Sequence, residues 1–247
     1  MILEWLIAPL DPARPHEVGI ALSWHARFMV LGWGILTPLA IIIARYFKVL
    51  PGQDWPRELD NKFWWRSHWM TQTLVLFLTA IGLALILASP QNTGEAIVHR
   101  MLGYAILVLA AVQALSGLFR GSKGGPTDPR ADGSLRGDHY DMTPHRLLFE
   151  RVHKGCGYLA LALMVGAITT GIWTANAPNW MWLMLLAWWA VLAAISVYLQ
   201  RQGRAVDTYQ AIWGPDPAHP GNRMEQQGWG MKRPEFHGRS YEKQREL

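Results

Sequence analysis

The chain has 247 residues, 51% of them hydrophobic and 17% charged, with a formal net charge of +5. The apolar residues stand in long blocks with the charges between them, and the basic excess falls in the connections, where membrane proteins collect Lys and Arg. A nucleic-acid partner is therefore not expected, and the single cysteine, Cys156, excludes both an internal disulfide framework and covalent haem attachment through Cys-x-x-Cys-His.

Residues 1–19 are expected to form an extracytoplasmic tail. Its apolar start contains Glu4 and lacks the basic opening and small-residue cleavage site of a signal peptide. It reads as a mature end lying along the membrane interface. Five transmembrane helices then follow, at roughly 20–44, 68–88, 98–119, 153–173 and 180–199, each apolar for about the 20 residues that cross a hydrocarbon core. Tryptophans such as Trp24, Trp64, Trp65, Trp69, Trp173, Trp180 and Trp182 cluster at span ends, as an aromatic belt does.

The connections alternate in charge. Loop 45–66 holds Arg45, Lys48, Arg57, Lys62 and Arg66, and loop 120–152 holds Arg120, Lys123, Arg130, Arg136, Arg146 and Arg151. The opposite side is nearly bare, so the N-terminus is expected outside and the C-terminus in the cytoplasm. Loop 121–142 is rich in Gly, Pro and Asp and reads as a flexible connection. Thr143-Pro144 reads as a helix cap with a first-turn proline. Residues 176–202 form a fifth helix, and 203–247 a polar cytoplasmic tail too poor in apolar residues to build a core of its own, either solvated or used as a docking arm.

Nine histidines are present, and His25, His68, His99 and His153 stand near the ends of the first four spans. Ionisable groups in spans are costly and mark function. Helices 1 and 3 run inward, which places His25 and His99 near the outer face. Helices 2 and 4 run outward, which places His68 and His153 near the inner face. Two histidines on facing helices at one depth are able to ligate one iron axially, and bundle cores house such sites. The expected cofactors are two non-covalent haem b groups, one per pair, with their irons roughly 20 Å apart on helices of ~30 Å.

A repeated register supports the pairing. Helix 3 reads His99-Arg100-Met101-Leu102-Gly103-Tyr104 and helix 4 reads His153-Lys154-Gly155-Cys156-Gly157-Tyr158. Each histidine is also followed after 18 residues by a glycine, Gly117 or Gly171. Eighteen residues is five helical turns, so Gly103, Gly117, Gly157 and Gly171 share a face with their histidines and would admit a flat porphyrin. Small-residue helix packing is the competing explanation. Arg27 and Arg100 on the outer side, and Arg66, Arg151 and Lys154 on the inner side, are candidates for haem propionates or for snorkelling to headgroups. Gln72 and Gln113 are polar groups within spans, facing a helix or a haem edge.

At Trp24-His25-Ala26-Arg27, His68-x-x-x-Gln72, His99-Arg100-Met101-Leu102-Gly103 and Phe149-Glu150-x-x-His153-Lys154-x-x-Gly157-Tyr158 the chain resembles the cytochrome b561 family, in particular its bacterial stand-alone and DOMON-associated types. The resemblance covers about 20–175. It implies an antiparallel four-helix di-haem core with helix 1 paired to helix 3 and helix 2 to helix 4, an oxidoreductase-type electron carrier, and transmembrane electron transfer.

The expected protein is thus an all-α integral membrane bundle of four haem-bearing helices plus one, in a bacterial cytoplasmic membrane. Its partners would be lipid and an electron donor and acceptor: a quinol, a small reductant or another cytochrome. The alternative is a haem-containing accessory subunit, docked in a larger membrane complex through helix 5 and the tail. A transporter would need polar groups at the bilayer midplane, where Gln113 is nearly alone. A metal site from His139 and His145 with Asp138 and Asp141 matches no strong ligand pattern.

Overall fold

The computed structural model describes residues 1–89, 96–120, 143–217 and 219–234. Helix α1 spans Ile2–Ile7. Helix α2, Ile20–Met29, continues through a π-helical segment, Val30–Leu36, into α3, Thr37–Tyr46. Then come α4 (Phe63–Leu87), α5 (Ile97–Leu118), α6 (Pro144–Thr174), α7 (Asn179–Arg201) and α8 (Thr208–Trp213). The five segments Ile20–Tyr46, Phe63–Leu87, Ile97–Leu118, Pro144–Thr174 and Asn179–Arg201 are long and apolar enough to cross a membrane. Large apolar side chains such as Phe77, Val108 and Leu159 point outward from them, as a lipid-facing surface requires. The chain is an integral membrane helical bundle.

Two of these helices overrun the apolar blocks that announce them. Helix α4 starts at Phe63 and α6 at Pro144, so both project beyond the expected spans at 68 and 153. In α6 the extension begins on the Thr143-Pro144 cap, where Thr143 Oγ1 accepts from the amide of Arg146 at 3.4 Å.

Helix α4 lies along α2 and α3, and α5 lies along α6. The shared core comprises Trp33, Val75, Ile106, Ala110, Met164 and Ile168, with Leu185 of α7 closing one side. Its centre is tied by hydrogen bonds: Trp33 Nε1 donates to Thr79 Oγ1 at 2.9 Å, and that hydroxyl donates to the Val75 carbonyl at 2.7 Å.

The π segment has a local cause. In an α-helix the Gly34 carbonyl would accept from residue 38, but residue 38 is proline, with no N–H and a ring that clashes with that carbonyl. Wider winding removes the clash. The freed carbonyl accepts instead from the indoles of Trp188 at 3.2 Å and Trp189 at 3.1 Å, both on α7. The fifth helix is thereby latched to the first.

Segments near both ends of the chain pack on the bundle. Asn176, buried at the α6–α7 turn, accepts from the Asp11 amide at 2.8 Å and donates to the carbonyls of Asp11 and Arg14 at 3.0 and 2.7 Å. At the other end, residues 203–234 fold back as a cap on the bundle. Ala205 and Met231 pack with Ile42, Tyr46 and Leu192, and Tyr209 packs with Trp213 against Leu147. Asp207 starts α8 by accepting from the amides of Tyr209 and Gln210, and residues 205–207 bridge to Lys232. The solvated tail expected from composition is corrected for these residues. The segment has too few apolar side chains for its own core, but enough to complete the bundle's.

Candidate functional site

The four span histidines meet in two pairs. His25 of α2 and His99 of α5 have ring centroids 6.1 Å apart, with planes at 83°. His68 of α4 and His153 of α6 have centroids 6.2 Å apart, with planes at 75°. A metal–imidazole bond of about 2 Å, with the ring centre roughly 1.1 Å beyond the nitrogen, separates two axial ligands by about 6.2 Å. Both pairs therefore have the spacing that one six-coordinate iron requires.

Each Nδ1 is held. His25 Nδ1 lies 2.9 Å from the Gly82 carbonyl, His99 Nδ1 2.8 Å from that of Ala167, and His68 Nδ1 3.2 Å from that of Ala40. A carbonyl only accepts, so these nitrogens carry the proton. His153 Nδ1 lies 3.2 Å from Ser116 Oγ, which spends its own proton on the Gln113 carbonyl at 3.1 Å and so accepts from the ring. In all four rings Nε2 keeps its lone pair. Fixing the tautomer through the far nitrogen is how metal-ligating histidines are oriented.

Around His68 and His153 lies a cavity of about 570 Å³, walled by apolar and aromatic residues such as Trp33, Val75, Ala110 and Phe149. Its volume is in the range of sites for sizeable organic ligands. Met231 of the cap forms part of its wall. The same wall carries Arg45, Lys48, Arg120, Arg146, Glu150 and Lys154. Arg146 Nη2 donates to Glu150 Oε1 at 2.9 Å, and Lys154 pairs with the other Glu150 oxygen at 2.5 Å. Lys48, between α3 and α4, is pushed down to about 7, first by burial and then by the Lys154 charge. Burial, then Arg146, lowers Arg120 to about 10.

The expected glycines divide into two kinds. A Cβ on Gly171 would lie 2.9 Å from the His99 ring, and one on Gly157 would lie 2.8 Å from the Gln113 amide. A Cβ on Gly103 or Gly117 would meet nothing within 4 Å, and Gly117 faces the cavity. Of the expected basic residues, Lys154 lines the cavity, while Arg66 and Arg151 are exposed outside it. Arg151 donates to Gln227 Oε1 at 3.2 Å. Arg27 and Arg100 are exposed as well, with Arg27 over the Trp24 ring at 5.0 Å.

Other site residues have no signal in the motifs. Gly82, whose carbonyl receives His25, is a lone glycine without a repeat, and a Cβ there would sit 2.9 Å from Met29. Ser116 is one polar residue near a span end. Lys48, Arg120 and Arg146 read from sequence as loop charges. Gln113 Nε2 donates to the His153 carbonyl at 2.7 Å, which resolves its role as a helix-to-helix tie; Gln72 lines the cavity. His145 donates from Nε2 to the Phe119 carbonyl at 2.7 Å. Its suggested metal partners His139, Asp138 and Asp141 lie outside the described residues, as does loop 121–142.

Residues 24–124 match the family described as "Eukaryotic cytochrome b561", a stretch that holds His25, His68 and His99 and ends before His153. The chain is 29% identical over 151 residues to a cytochrome b561, DM13 and DOMON domain-containing protein of Arabidopsis thaliana, covering 61% of this chain and 14% of that one. It is 26% identical over 176 residues to a Danio rerio protein named "Putative ferric-chelate reductase 1", covering 68% and 27% of the two. It is 26% identical over 155 residues to a cytochrome b561 and DOMON domain-containing protein of Arabidopsis thaliana, covering 62% and 34%. The chain thus spans about a third or less of the length of these relatives. No solved structure matches it.

Proposed function

We propose that this chain, which belongs to the cytochrome b561 family, passes electrons across a membrane between two haem b groups, one held by His25 and His99 and the other by His68 and His153. The observation that carries this reading is the pairing itself: two histidine pairs at axial-ligand spacing, with every Nδ1 already committed. When bound, haem supplies a one-electron Fe(III)/Fe(II) couple.

The chain's own residues do the rest. The carbonyls of Gly82, Ala167 and Ala40 and the hydroxyl of Ser116 hold the rings in the ligating tautomer and raise their basicity. His25 with His99, and His68 with His153, would each hold one haem through their Nε2 atoms. The Trp33 core excludes water between the two sites, and the C-terminal cap covers the His68–His153 end. Charge asymmetry of the loops puts that end on the cytoplasmic side.

The donor and acceptor are small redox molecules or partner cytochromes, with ferric chelates one acceptor class on the strength of the Danio rerio relative's name. The relatives named above are eukaryotic, so an integral membrane placement stands without support for a bacterial inner membrane. A docking arm, as an accessory subunit would need, has little footing in residues 203–234, which pack on the chain's own bundle.

The purified protein should carry two haems per chain by pyridine haemochromogen assay, with a low-spin b-type reduced spectrum. His25→Ala and His99→Ala should each remove one haem and spare the other, and His68→Ala and His153→Ala should remove the opposite one. Protein without haem, or with a single haem lost equally in all four variants, would sink the proposal.

A further inference from the structure

The wall of the cavity beside His68 and His153 is electrically lopsided. Five cations line it, Arg45, Lys48, Arg120, Arg146 and Lys154, against the single carboxylate of Glu150. That carboxylate is used up by Arg146 and Lys154. The other cations meet neutral partners. Arg45 donates to the Tyr158 hydroxyl at 2.7 Å and the Trp229 carbonyl at 2.8 Å, Lys48 donates to the Val206 carbonyl at 2.8 Å, and Arg120 lies over the Trp65 ring.

Two details mark where negative charge is missing. Arg146 is only 6% exposed, yet its Nη1 is buried with no partner among the described residues. Lys48 is only 3% exposed and has no carboxylate within ion-pair distance among them. A buried N–H without an acceptor loses its hydration and regains nothing, and a buried cation without an anion loses more. Both residues share one wall with the two histidines, in a cavity whose remaining surface is largely apolar. An occupant that satisfies all of this is largely apolar, binds between two imidazoles, and carries carboxylates that meet the cations.

Resting on the haem reading above, we infer that Arg146 and Lys48 are the anchors for the two propionate carboxylates of the tetrapyrrole held by His68 and His153. Arg146 lines the cavity with a guanidinium already oriented by Glu150, so its charge is set before the ligand arrives and a small side-chain shift turns the unpartnered Nη1 toward a carboxylate. Lys48 offers an ammonium held at the cavity edge by the cap residues Val206 and Met231. The cap therefore has a part in this site: it positions one of the two anchors. The depressed ammonium of Lys48 agrees with a site short of its anion.

The test is haem release from the intact, loaded protein. Arg146→Gln and Lys48→Gln are mixed with excess apomyoglobin, and loss of the haem that His153→Ala lacks is followed by its spectrum. Each variant should release that haem about tenfold faster, the size expected for one lost charge-assisted hydrogen bond, and leave the other haem's release rate unchanged. Its midpoint potential should fall, because a cation next to the metal has been removed. Arg201→Gln is the control, being exposed and outside the cavity wall, and should match the parent.

Arg146→Lys covers the case in which the glutamine variant fails to fold, judged by loss of both haems together. It keeps the charge and loses the fork, so the potential should hold while release still quickens. Unchanged release in Arg146→Gln and Lys48→Gln, or equal acceleration of both haems in a folded variant, overturns the assignment. A parent protein that holds no haem overturns the reading on which it rests.

Discussion

A methyl group on Gly171 would lie 2.9 Å from Cε1 and 3.0 Å from Nδ1 of His99, so the imidazole occupies the space that every other residue type would fill. Gly171→Ala should therefore push the ring off its hydrogen bond to Ala167, at a cost of about 1–3 kcal/mol for forced overpacking. Thermal unfolding in detergent and the visible spectrum check it. The loss should fall on the His25–His99 haem alone.

Gly103 and Gly117 make the opposite case. A Cβ at either meets no protein atom within 4 Å. In haem-free protein, alanine at Gly103, inside α5, should stabilise by roughly 0.5–1 kcal/mol through backbone entropy, and by less at Gly117, one residue from the helix end. In loaded protein the same alanines should lower haem content if the porphyrins fill that space. Equal stabilisation in both states would show that these glycines serve no cofactor.

Ser116→Ala removes the acceptor for His153 Nδ1–H and leaves the other three ligands' supports intact. Such supporting contacts typically contribute about 10–100-fold in metal affinity. Haem titration of the apoprotein should show weaker binding at one site, with the second binding curve superimposed on that of the parent.

Lys48 makes the haem-free protein's stability depend on pH. Its pKa is about 7 in the folded chain against an ordinary 10.5. Below about 7 both folded and unfolded forms are protonated and the burial penalty is fully present. Between about 7 and 10.5 the unfolded chain holds the extra proton, so stability rises with pH, by at most about 1.4 kcal/mol per unit. Melting curves from pH 6 to 10 should show that rise in haem-free protein and lose it in Lys48→Met. With haem bound, the carboxylates keep Lys48 charged and the slope should flatten.

Trp188→Phe and Trp189→Phe together remove both indole donors from the Gly34 carbonyl. A net hydrogen bond contributes about 1 kcal/mol, so the double variant should lose about 1–2 kcal/mol. Haem content should be unchanged, since neither tryptophan lines the cavity at His68 and His153.

Much of this arrangement is legible in the amino-acid sequence. Hydropathy alone locates five spans, because a bilayer demands long apolar blocks. Alternating direction then sorts His25 with His99 and His68 with His153. What escaped was whatever depends on contacts remote in sequence. Lys48 looks like a loop charge until Val206 and Met231, far along the chain, close over it. Arg146 falls in the first turn of α6 that the Thr143-Pro144 cap announces, but its place on the cavity wall depends on residues of other helices. The cap itself is hidden because Tyr209, Trp213 and Met231 are sparse among polar residues, and their packing partners lie on other helices.

The π segment at Val30–Leu36 has a bearing on lineage. A π turn takes in one residue more than an α turn over a similar rotation, so a seven-residue π stretch stores a single inserted residue without twisting the helix on either side. The ring of His25 and the carbonyl of Ala40, which receives His68, stand on opposite flanks of that stretch. A relative with an unbroken α-helix there would therefore align with one gap between 30 and 36 and still keep both sites in phase. A single-residue deletion inside that window, combined with replacement of Pro38, should be tolerated. The same deletion in the regular α-helix of Thr37–Tyr46 would turn one flank by about 100° and take His68's support out of reach.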